Sequence, residues 1–485
     1  MAETPKTTFR DITFLLLLTA TAVLVHGYHF GVEDQSIYLP AIKKTLDPAL
    51  FPHDAQFFLT QAHWMLYGEM VALSIRISHL PLEWAMLLWH GAAVFLVLLG
   101  CLRIGRRCFA DTAAPWAGVA MVASLMTIPV AGTLVLMVDQ YAHPRVLATA
   151  FALLALGAVL DRRPRALAWL ALTAITHPQV ALYAAVHLLF QVRFAAPAAG
   201  AVPAALFLWG TEKTPAGAAM REIVRPRRQH FPLQWTWYEW LGAYGPVLLL
   251  GWFARWGRKN GAATLARVCA GLAASCAAGI AAALLITTVP QLEPLIALRP
   301  MRELHFVYVL LFLLGGGLLG RCVLRDRAWR WALLFLPICA GMFLAQRAIF
   351  PASPHIEWPG RAAQNEWLDA FAWIRANTPR DALFALDPMH MNSPGEDNHG
   401  FRALAERSML VDFSKDRSVA SLFPALAGDW KEQFETVQGW KIFRREDFVR
   451  LRAKYGVTWV VLEQPAAAEL PCPYANARVR VCRVE

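Results

Sequence analysis

Acidic side chains stand in a polar segment of the sequence, where the chain has just left its first apolar run. The segment covers residues 31–58 and contains Glu33, Asp34 and Asp54. A carboxylate beside hydrocarbon is either solvated surface or a group placed to accept a proton, because partial desolvation suits Asp to deprotonating a hydroxyl. Asp34 is therefore the leading candidate for a catalytic base, with Glu33 and Asp54 as further catalytic candidates and His53 as a substrate-binding candidate.

Two later connections also combine charged and polar side chains. Residues 139–145 hold an acid, a histidine and an arginine, and residues 177–179 read His-Pro-Gln at a break between apolar runs. A polar turn between helices explains each connection without any function. Pockets in helix bundles are built from several facing elements, however, so polar connections on one membrane face reinforce one another. The substrate-binding candidates here are Asp139, His143, Arg145, His177 and Gln179.

A third polar connection, residues 298–305, brings basic side chains to the same predicted face. Arg299, Arg302 and His305 lie there, on the side where the positive-inside tendency disfavours Arg. Arg is the side chain that binds phosphate through two parallel hydrogen bonds, so a lipid phosphate is a natural ligand. Contact with anionic headgroups, or with Glu303, is the alternative explanation.

The composition shows what must position these residues. Of the 485 residues 57% are hydrophobic and 17% charged, with a mean hydropathy of +0.39, which is too apolar for an ordinary soluble protein. The net charge of +11 does not indicate nucleic-acid binding, because the 18 basic and 18 acidic residues after residue 346 cancel. The excess lies in residues 1–346, where membrane topology explains it.

Short basic connections alternate with longer exterior ones and give a topology. With the N-terminus inside, the cytoplasmic connections carry net +12 and the exterior ones −1. The pattern predicts a mainly α polytopic bundle of about 11 spans over residues 1–346, N-in and C-out. Residues 29–81 form its first exterior loop, with a surface helix over 57–80. The later apolar runs are 82–102, 114–138, 146–160, 166–176, 179–192, 195–210, 241–254, 265–289, 304–320 and 330–346.

The C-terminal part has the composition of a small α/β domain outside the membrane. A Pro-rich linker is predicted over residues 347–362 and the domain over 363–485. Helical spacing predicts a helix at 365–377, a second helix is expected at 445–455, and β-rich runs predict strands at 382–386 and 457–462. Cys472 and Cys482 flank a short segment that a disulfide could close in an oxidising compartment, although spacing alone does not decide the pairing.

Metal binding receives little support from the sequence. The eight cysteines form no Cys-x-x-Cys pair, and most lie in or beside apolar runs, so a zinc site is not expected. No metal ligands are assigned. The cofactor is unknown, and use of a divalent cation remains an open alternative.

The layout resembles the GT-C superfamily of membrane glycosyltransferases, in an uncharacterised bacterial branch. The resemblance rests on an acidic motif and a second acid in the first exterior loop, many spans, a late exterior loop with Arg and a C-terminal α/β domain. It implies transfer of a sugar from a polyprenyl-phosphate donor to an acceptor hydroxyl, with Asp34 as base, Asp54 as auxiliary acid, and Arg299 or Arg302 on the donor phosphate. No Asp-x-Asp and no Trp-Trp-Asp motif is present.

The resulting hypothesis is a membrane glycosyltransferase whose partners are the lipid bilayer and the lipid-linked sugar, with no nucleic acid. Its expected location is the bacterial inner membrane, with the C-terminal domain periplasmic. A transporter or flippase of an anionic lipid is an alternative, and so is a non-catalytic scaffold presenting residues 351–485. The transporter would be favoured by intramembrane charges and pseudo-symmetric halves.

Overall fold

A computed structural model describes residues 7–192, 215–361, 365–466 and 469–485 of the chain. The protein is mainly helical, as predicted, with a small sheet near the C-terminus. The apolar run predicted at 195–210 lies outside the described residues. Contacts divide the chain into two compact units. Unit one comprises residues 7–27, 88–192 and 227–346, and unit two comprises 28–87, 215–226 and 347–485.

Unit one is built from apolar helices. Its elements, with two helices that run on into unit two, are α1 (Phe9–His26), α5 (Leu82–Cys108), α6 (Ala113–Ser124), β1 (Pro129–Val130), β2 (Val135–Leu136), α7 (Pro144–Leu160), α8 (Arg165–Thr176), α9 (Pro178–Val192), α11 (Trp237–Lys259), α12 (Ala263–Thr288), α13 (Leu304–Leu319) and α14 (Ala328–Ile349). Short 3-10 turns, Pro290–Leu298 and Pro300–Glu303, lead into α13. The labels α2–α4 and α10 belong to unit two.

Five stretches in the described part of the chain are long and apolar enough to cross a membrane. They are Phe9–His26, Leu82–Cys108, Ala263–Thr288, Pro290–Leu324 and Ala328–Ile349. Shorter apolar helices, among them α7, α8 and α9, accompany them. Length and composition are thus those of a multi-pass membrane protein, while the count of 11 spans and their orientation stay predictions.

Small residues set the packing of α6 against α13. A Cβ atom added to Gly118 would lie 2.3 Å from the carbonyl oxygen of Leu313, and one added to Gly316 would lie 2.6 Å from the Cβ atom of Met121. The two backbones therefore touch. Such close approach is how helices gain packing energy in a membrane, where apolar surface alone gives little drive for association.

The predicted apolar run at 114–138 is only half helical. Helix α6 ends at Ser124, and β1 and β2 form a hairpin with Pro129 opposite Leu136. Pro129 cannot donate a helical hydrogen bond, and Gly132 adopts a positive φ of +66° in the turn. The prediction of one continuous span was wrong here, because hydropathy measures only how apolar the residues are and does not detect that Pro129 and Gly132 disfavour a continuous helix.

Unit two contains the first loop and the C-terminal region. Its elements are α2 (Gln35–Leu46), α3 (Gln56–Ala62), α4 (Tyr67–Ser78), α10 (Pro215–Val224), α15 (Glu366–Asn377), β3 (Leu383–Ala385), α16 (Phe401–Ala405), β4 (Ser408–Met409), α17 (Lys415–Ala420), α18 (Ala427–Thr436), α19 (Arg445–Tyr455), β5 (Trp459–Glu463), β6 (Tyr474–Ala475) and β7 (Val479–Arg483). The helix predicted over 57–80 is two helices, α3 and α4, separated by a turn.

The sheet of unit two has the strand order β4-β3-β5-β7-β6. Strands β3, β4 and β5 are parallel, and β7 runs antiparallel to β5 and β6. Trp367 and Phe371 of α15 cover one face of the sheet, and Phe448 and Leu451 of α19 cover the other. The α/β architecture predicted for this region is therefore present, with its helices where amphipathic spacing placed them.

Backbone hydrogen bonds tie the first loop to the C-terminal region inside unit two. The N–H of Tyr28 donates to the carbonyl of His355 at 3.1 Å, and the N–H of Glu357 donates to the carbonyl of Tyr28 at 2.8 Å. The N–H of Gly400 donates to the carbonyl of Gly31, also at 2.8 Å. Part of the segment predicted as a linker thus pairs with the first loop.

A disulfide joins Cys472, which precedes β6, to Cys482 of β7. Cys472 lies two residues before β6 and Cys482 lies in β7, and the pairing of these two strands brings the two Cα atoms to 3.8 Å. Sequence spacing left this pairing open, and the structure forms it.

Candidate functional site

The acidic pair of the first loop is held by one lysine. Lys415 Nζ donates to Asp34 Oδ1 at 2.9 Å and also to Glu33 Oε2. The lysine side chain is buried, whereas those of Asp34 and Glu33 are 30% and 40% exposed. Although burial lowers the pKa of the Lys415 ammonium, the two carboxylates raise it above its ordinary value. The result is a fixed cation facing two carboxylates that reach solvent.

Local backbone geometry aims this pair. Glu33 adopts a positive φ of +51°, and its N–H donates to the carbonyl of Asn398 at 2.9 Å. Asp34 directly precedes α2, whose first nine residues are buried, and its carbonyl accepts from the N–H of Ile37. Left-handed backbone at a non-glycine residue persists only where its surroundings hold it, and it is concentrated at functional sites.

Buried polar contacts hold Lys415 in turn. Asp412 Oδ1 accepts from the N–H of Lys415 at 2.5 Å and from that of Asp416 at 3.2 Å, at the start of α17. Arg402 Nη1 bonds to both oxygens of Asp416, at 2.8 and 2.9 Å. The lysine therefore stands on a rigid support, as a residue that orients a site must.

A second buried cluster clamps the first loop beside this site. Glu357 Oε1 lies 2.9 Å from His29 Nδ1 and 3.1 Å from His399 Nε2, and its other oxygen accepts from the N–H of Phe30. Burial raises the pKa of Glu357, but His399 and His29 outweigh it and lower that pKa to about 2. Burial lowers the pKa of His399, yet Glu357 raises it above the ordinary value.

The two other candidates of the first loop have local contacts. Asp54 adopts a positive φ, and its Oδ1 accepts from Gln56 Nε2 at 3.2 Å. His53 is exposed, and its backbone N–H donates to Ser408 Oγ. In the described residues the ion pairs of Lys415 join Glu33 and Asp34, not Asp54. The catalytic and binding roles predicted for Asp54 and His53 stay predictions.

In unit one the structure brings together the connections 139–145 and 177–179. Arg145 Nη2 lies 2.7 Å from both oxygens of buried Asp139. His143 precedes α7 and accepts from the N–H of Arg145, and its ring stacks on that of His177 with centroids 6.3 Å apart. We call this group, with the residues of 298–305 near it, the polar cluster.

The third connection, 298–305, joins the polar cluster through α9. Gln179 Nε2 donates to the carbonyl of Leu298 at 2.9 Å, and the Tyr183 hydroxyl lies 2.8 Å from the carbonyl of Arg299. His305 Nε2 lies 2.8 Å from the carbonyl of Met137. Electrostatic neighbours of His177 include Arg145, Arg302 and His305. The three connections thus contact one another within unit one, and their sharing of one site with the first loop stays a prediction.

Lys415 is the residue that sequence reasoning missed. It lies 381 residues from Asp34 in the chain, in a short helix that carries no motif. His29, Glu357 and His399 were missed for the same reason, since only folding brings them together. The only local feature at this position is the sequence Ser-Lys-Asp at 414–416 after an apolar stretch, and such a sequence is too common in proteins to indicate a functional lysine.

The cavity of unit one and the possible metal ligands do not involve the candidate residues. A cavity of about 780 Å³ in unit one is lined by apolar side chains of α1, α6 and α14, together with Asp11 and Arg106, and none of the candidate residues borders it. Within the described ranges, no group of three or more His, Cys, Asp or Glu side chains is arranged to hold a metal ion.

Comparison with known proteins gives two similarities. A family model described as a domain of unknown function, DUF6798, matches residues 365–435, a segment that includes His399 and Lys415. The crystal structure of ArnT from Cupriavidus metallidurans bound to undecaprenyl phosphate aligns over 98% of this chain and 98% of that chain, at 12% identity and a TM-score of 0.40. No curated protein matches the chain.

Proposed function

We propose that the protein is a membrane glycosyltransferase that moves a sugar from a polyprenyl-phosphate-linked donor to an acceptor hydroxyl, with Asp34 as the base. The observation that carries this proposal is the acidic pair, partly exposed yet fixed by the buried ammonium of Lys415. A general base must be accessible and held in position, and Asp34 is 30% exposed and bonded to Lys415, which supports this role. The reaction site is proposed on the exterior face of the bacterial inner membrane.

In the proposed reaction the acceptor oxygen bonds to the anomeric carbon while its proton passes to a carboxylate oxygen of Asp34. The bond between that carbon and the phosphate oxygen breaks, and the lipid phosphate leaves with the electron pair. Arg299 and Arg302 are the proposed donors to this phosphate, because guanidinium groups stabilise phosphate charge through paired hydrogen bonds. Glu33 is proposed to share Lys415 with Asp34 and so to fix its orientation.

The polar cluster supports a role in binding the anionic part of the donor. Its arginine and histidine side chains are concentrated in three adjoining connections, although most of unit one is apolar. Ionisable residues in membrane proteins are expensive to bury and usually mark a substrate path or site. Asp139, His143, Arg145, His177, Gln179 and His305 are therefore proposed as substrate-binding or substrate-orienting residues.

The buried charges of unit one also support a second candidate function. Asp139 with Arg145, and Glu303 with His187, are ionisable groups inside unit one, as a transporter or flippase of an anionic lipid would contain. The full-length protein in liposomes, given polyprenyl-phosphate-linked sugars and a hydroxyl acceptor, separates the two. A covalent sugar–acceptor product that disappears in Asp34→Asn supports transfer. Lipid flux without a product supports the transporter.

A further inference from the structure

A pocket of about 240 Å³ lies in the C-terminal sheet region of unit two, apart from Asp34 and Lys415. It is bordered by the ends of β3 and β5 and by the turn after α18. The side chains that matter are Asp387, Trp440, Lys441, Phe443, Phe448 and Glu463. The pocket is smaller than the ~300–1,000 Å³ clefts that hold drug-sized ligands, so it suits a molecule the size of one ring.

The position of the pocket follows from the topology of the sheet. From β3 the chain continues to β4 on one side and later returns to β5 on the other, and all three strands are parallel. Asp387 comes two residues after β3, and Glu463 is the last residue of β5. Ligands of open α/β sheets bind at the carboxyl ends of the strands, where successive connections diverge.

The chemistry of the lining disfavours two ligand classes. Two carboxylates disfavour an anion, and the Lys441 ammonium with the aromatic wall disfavours a bare metal ion. Asp387 is buried, with one oxygen accepting from the N–H of Met389 at 2.8 Å, and Glu463 accepts from the Ser393 hydroxyl. Gln464, also on the rim, is already bonded to Asn476 and Arg480.

An apolar wall completes the pocket. Partly exposed Phe443 presents ring surface there, backed by the buried Trp440 ring at 5.4 Å, which lies 5.2 Å from buried Phe448, centroid to centroid. The ligand that fits acceptors, one donor and aromatic rings together is neutral, carries hydroxyl groups and has an apolar ring face. We propose that this pocket binds a monosaccharide unit of a glycan, independently of the proposed transfer site.

The test is saturation-transfer NMR on the full-length protein in detergent, with methyl glycosides of glucose, galactose, mannose and N-acetylglucosamine as probes. These probes carry no lipid phosphate, so they are not donors for transfer. We expect at least one to bind wild type and to bind about tenfold more weakly to Glu463→Gln and to Lys441→Met. Lys441 is exposed, so the second variant keeps its fold. Asp429→Asn, at an exposed site on α18, is the matched control.

Binding that weakens in Glu463→Gln and Lys441→Met but is unchanged in Asp34→Asn assigns the glycosides to the pocket rather than to the proposed transfer site. The proposal is overturned if none of the four glycosides binds, or if binding is unchanged in both Glu463→Gln and Lys441→Met. It is also overturned if calcium chloride alone occupies the pocket and the glycosides do not. Loss of transfer in Asp34→Asn concerns the proposed function and leaves this result unaffected.

Discussion

The ammonium of Lys415 lies 2.9 Å from the carboxylate of Asp34, although the two residues are 381 positions apart. The same nitrogen bonds to Glu33, so one buried cation orients both acids of the first loop. This contact makes the C-terminal region part of the candidate site rather than an appendage to it.

Replacing Lys415 with Met is expected to loosen the acidic pair and to lower transfer activity strongly. The substitution also removes the buried cation that pairs with the carboxylates of Glu33 and Asp34. We expect a loss of about 1–2 kcal/mol in unfolding free energy, below the ~3–5 kcal/mol of a fully buried pair because both carboxylates reach solvent. Thermal unfolding and product formation in detergent measure the two effects.

The matched control is Lys431→Met. Lys431 pairs with Glu222 and both side chains are exposed, so its removal should alter neither activity nor melting temperature appreciably. Equal losses in the two variants would show that Lys415 has no special role.

The clamp of His29, Glu357 and His399 makes stability depend on pH. The raised pKa of His399 contributes stability that is complete below its ordinary value of 6.5 and is lost as pH rises through the folded value. The lowered pKa of Glu357 contributes stability that is complete above its ordinary value of 4.5 and is lost as pH falls toward about 2. The clamp should therefore stabilise most between these ordinary values.

Melting temperatures of wild type and Glu357→Gln across that range measure this contribution. Glu396 and Asp397 also raise the pKa of His399. Because both proteins contain these two groups, their contribution to the melting temperature cancels in the difference. We expect the difference to be largest between pH 4.5 and 6.5 and to shrink on both sides. A constant difference at all pH values would contradict the assignment.

Gly118→Ala tests the contact of α6 with α13. The added Cβ would lie 2.3 Å from a backbone oxygen that cannot move aside, so we expect a loss of about 1–3 kcal/mol. Gly245→Ala in α11 meets no atom within 4 Å and should be neutral or slightly stabilising. Thermal unfolding of the two variants in one detergent is the comparison, and equal behaviour would contradict the close approach.

Removal of the disulfide should weaken unit two. Replacing both Cys472 and Cys482 with Ala frees a short loop at the edge of the sheet, with an expected loss of about 2–3 kcal/mol. Maleimide labelling of unfolded protein before and after reduction checks the bond, since two additional thiols should appear. Exposed Cys322 serves as the control, because Cys322→Ala should leave stability unchanged.

The sequence predicts those parts of the fold whose information is local. Helix α19 matches its predicted limits, and Gly456, with a positive φ, follows its last residue. The break at His177 was predicted from the following proline, and α8 and α9 meet there. Topology predicts three polar connections on one membrane face; they contact one another in unit one, and that face and its link to Asp34 stay predictions.

Other features depend on information that no local pattern contains. Strands β3 and β4 have three and two residues, so their pairing comes from the sheet and not from their own composition. The hairpin after α6 was read as helix because its residues are apolar. The sequence does not predict a role for Lys415, because that role depends on the carboxylates that folding places beside it.

The rate of sugar transfer by Asp34→Asn tests the central claim most directly. Full-length protein in liposomes is given polyprenyl-phosphate-linked pentoses and hexoses, and product is measured in a single turnover. We expect the rate to fall about 10²–10⁴-fold relative to wild type and to Asp429→Asn, with unchanged donor binding and a smaller drop in melting temperature than in Lys415→Met, because Glu33 still pairs with Lys415. A fully active Asp34→Asn protein would contradict the role of Asp34 as the base.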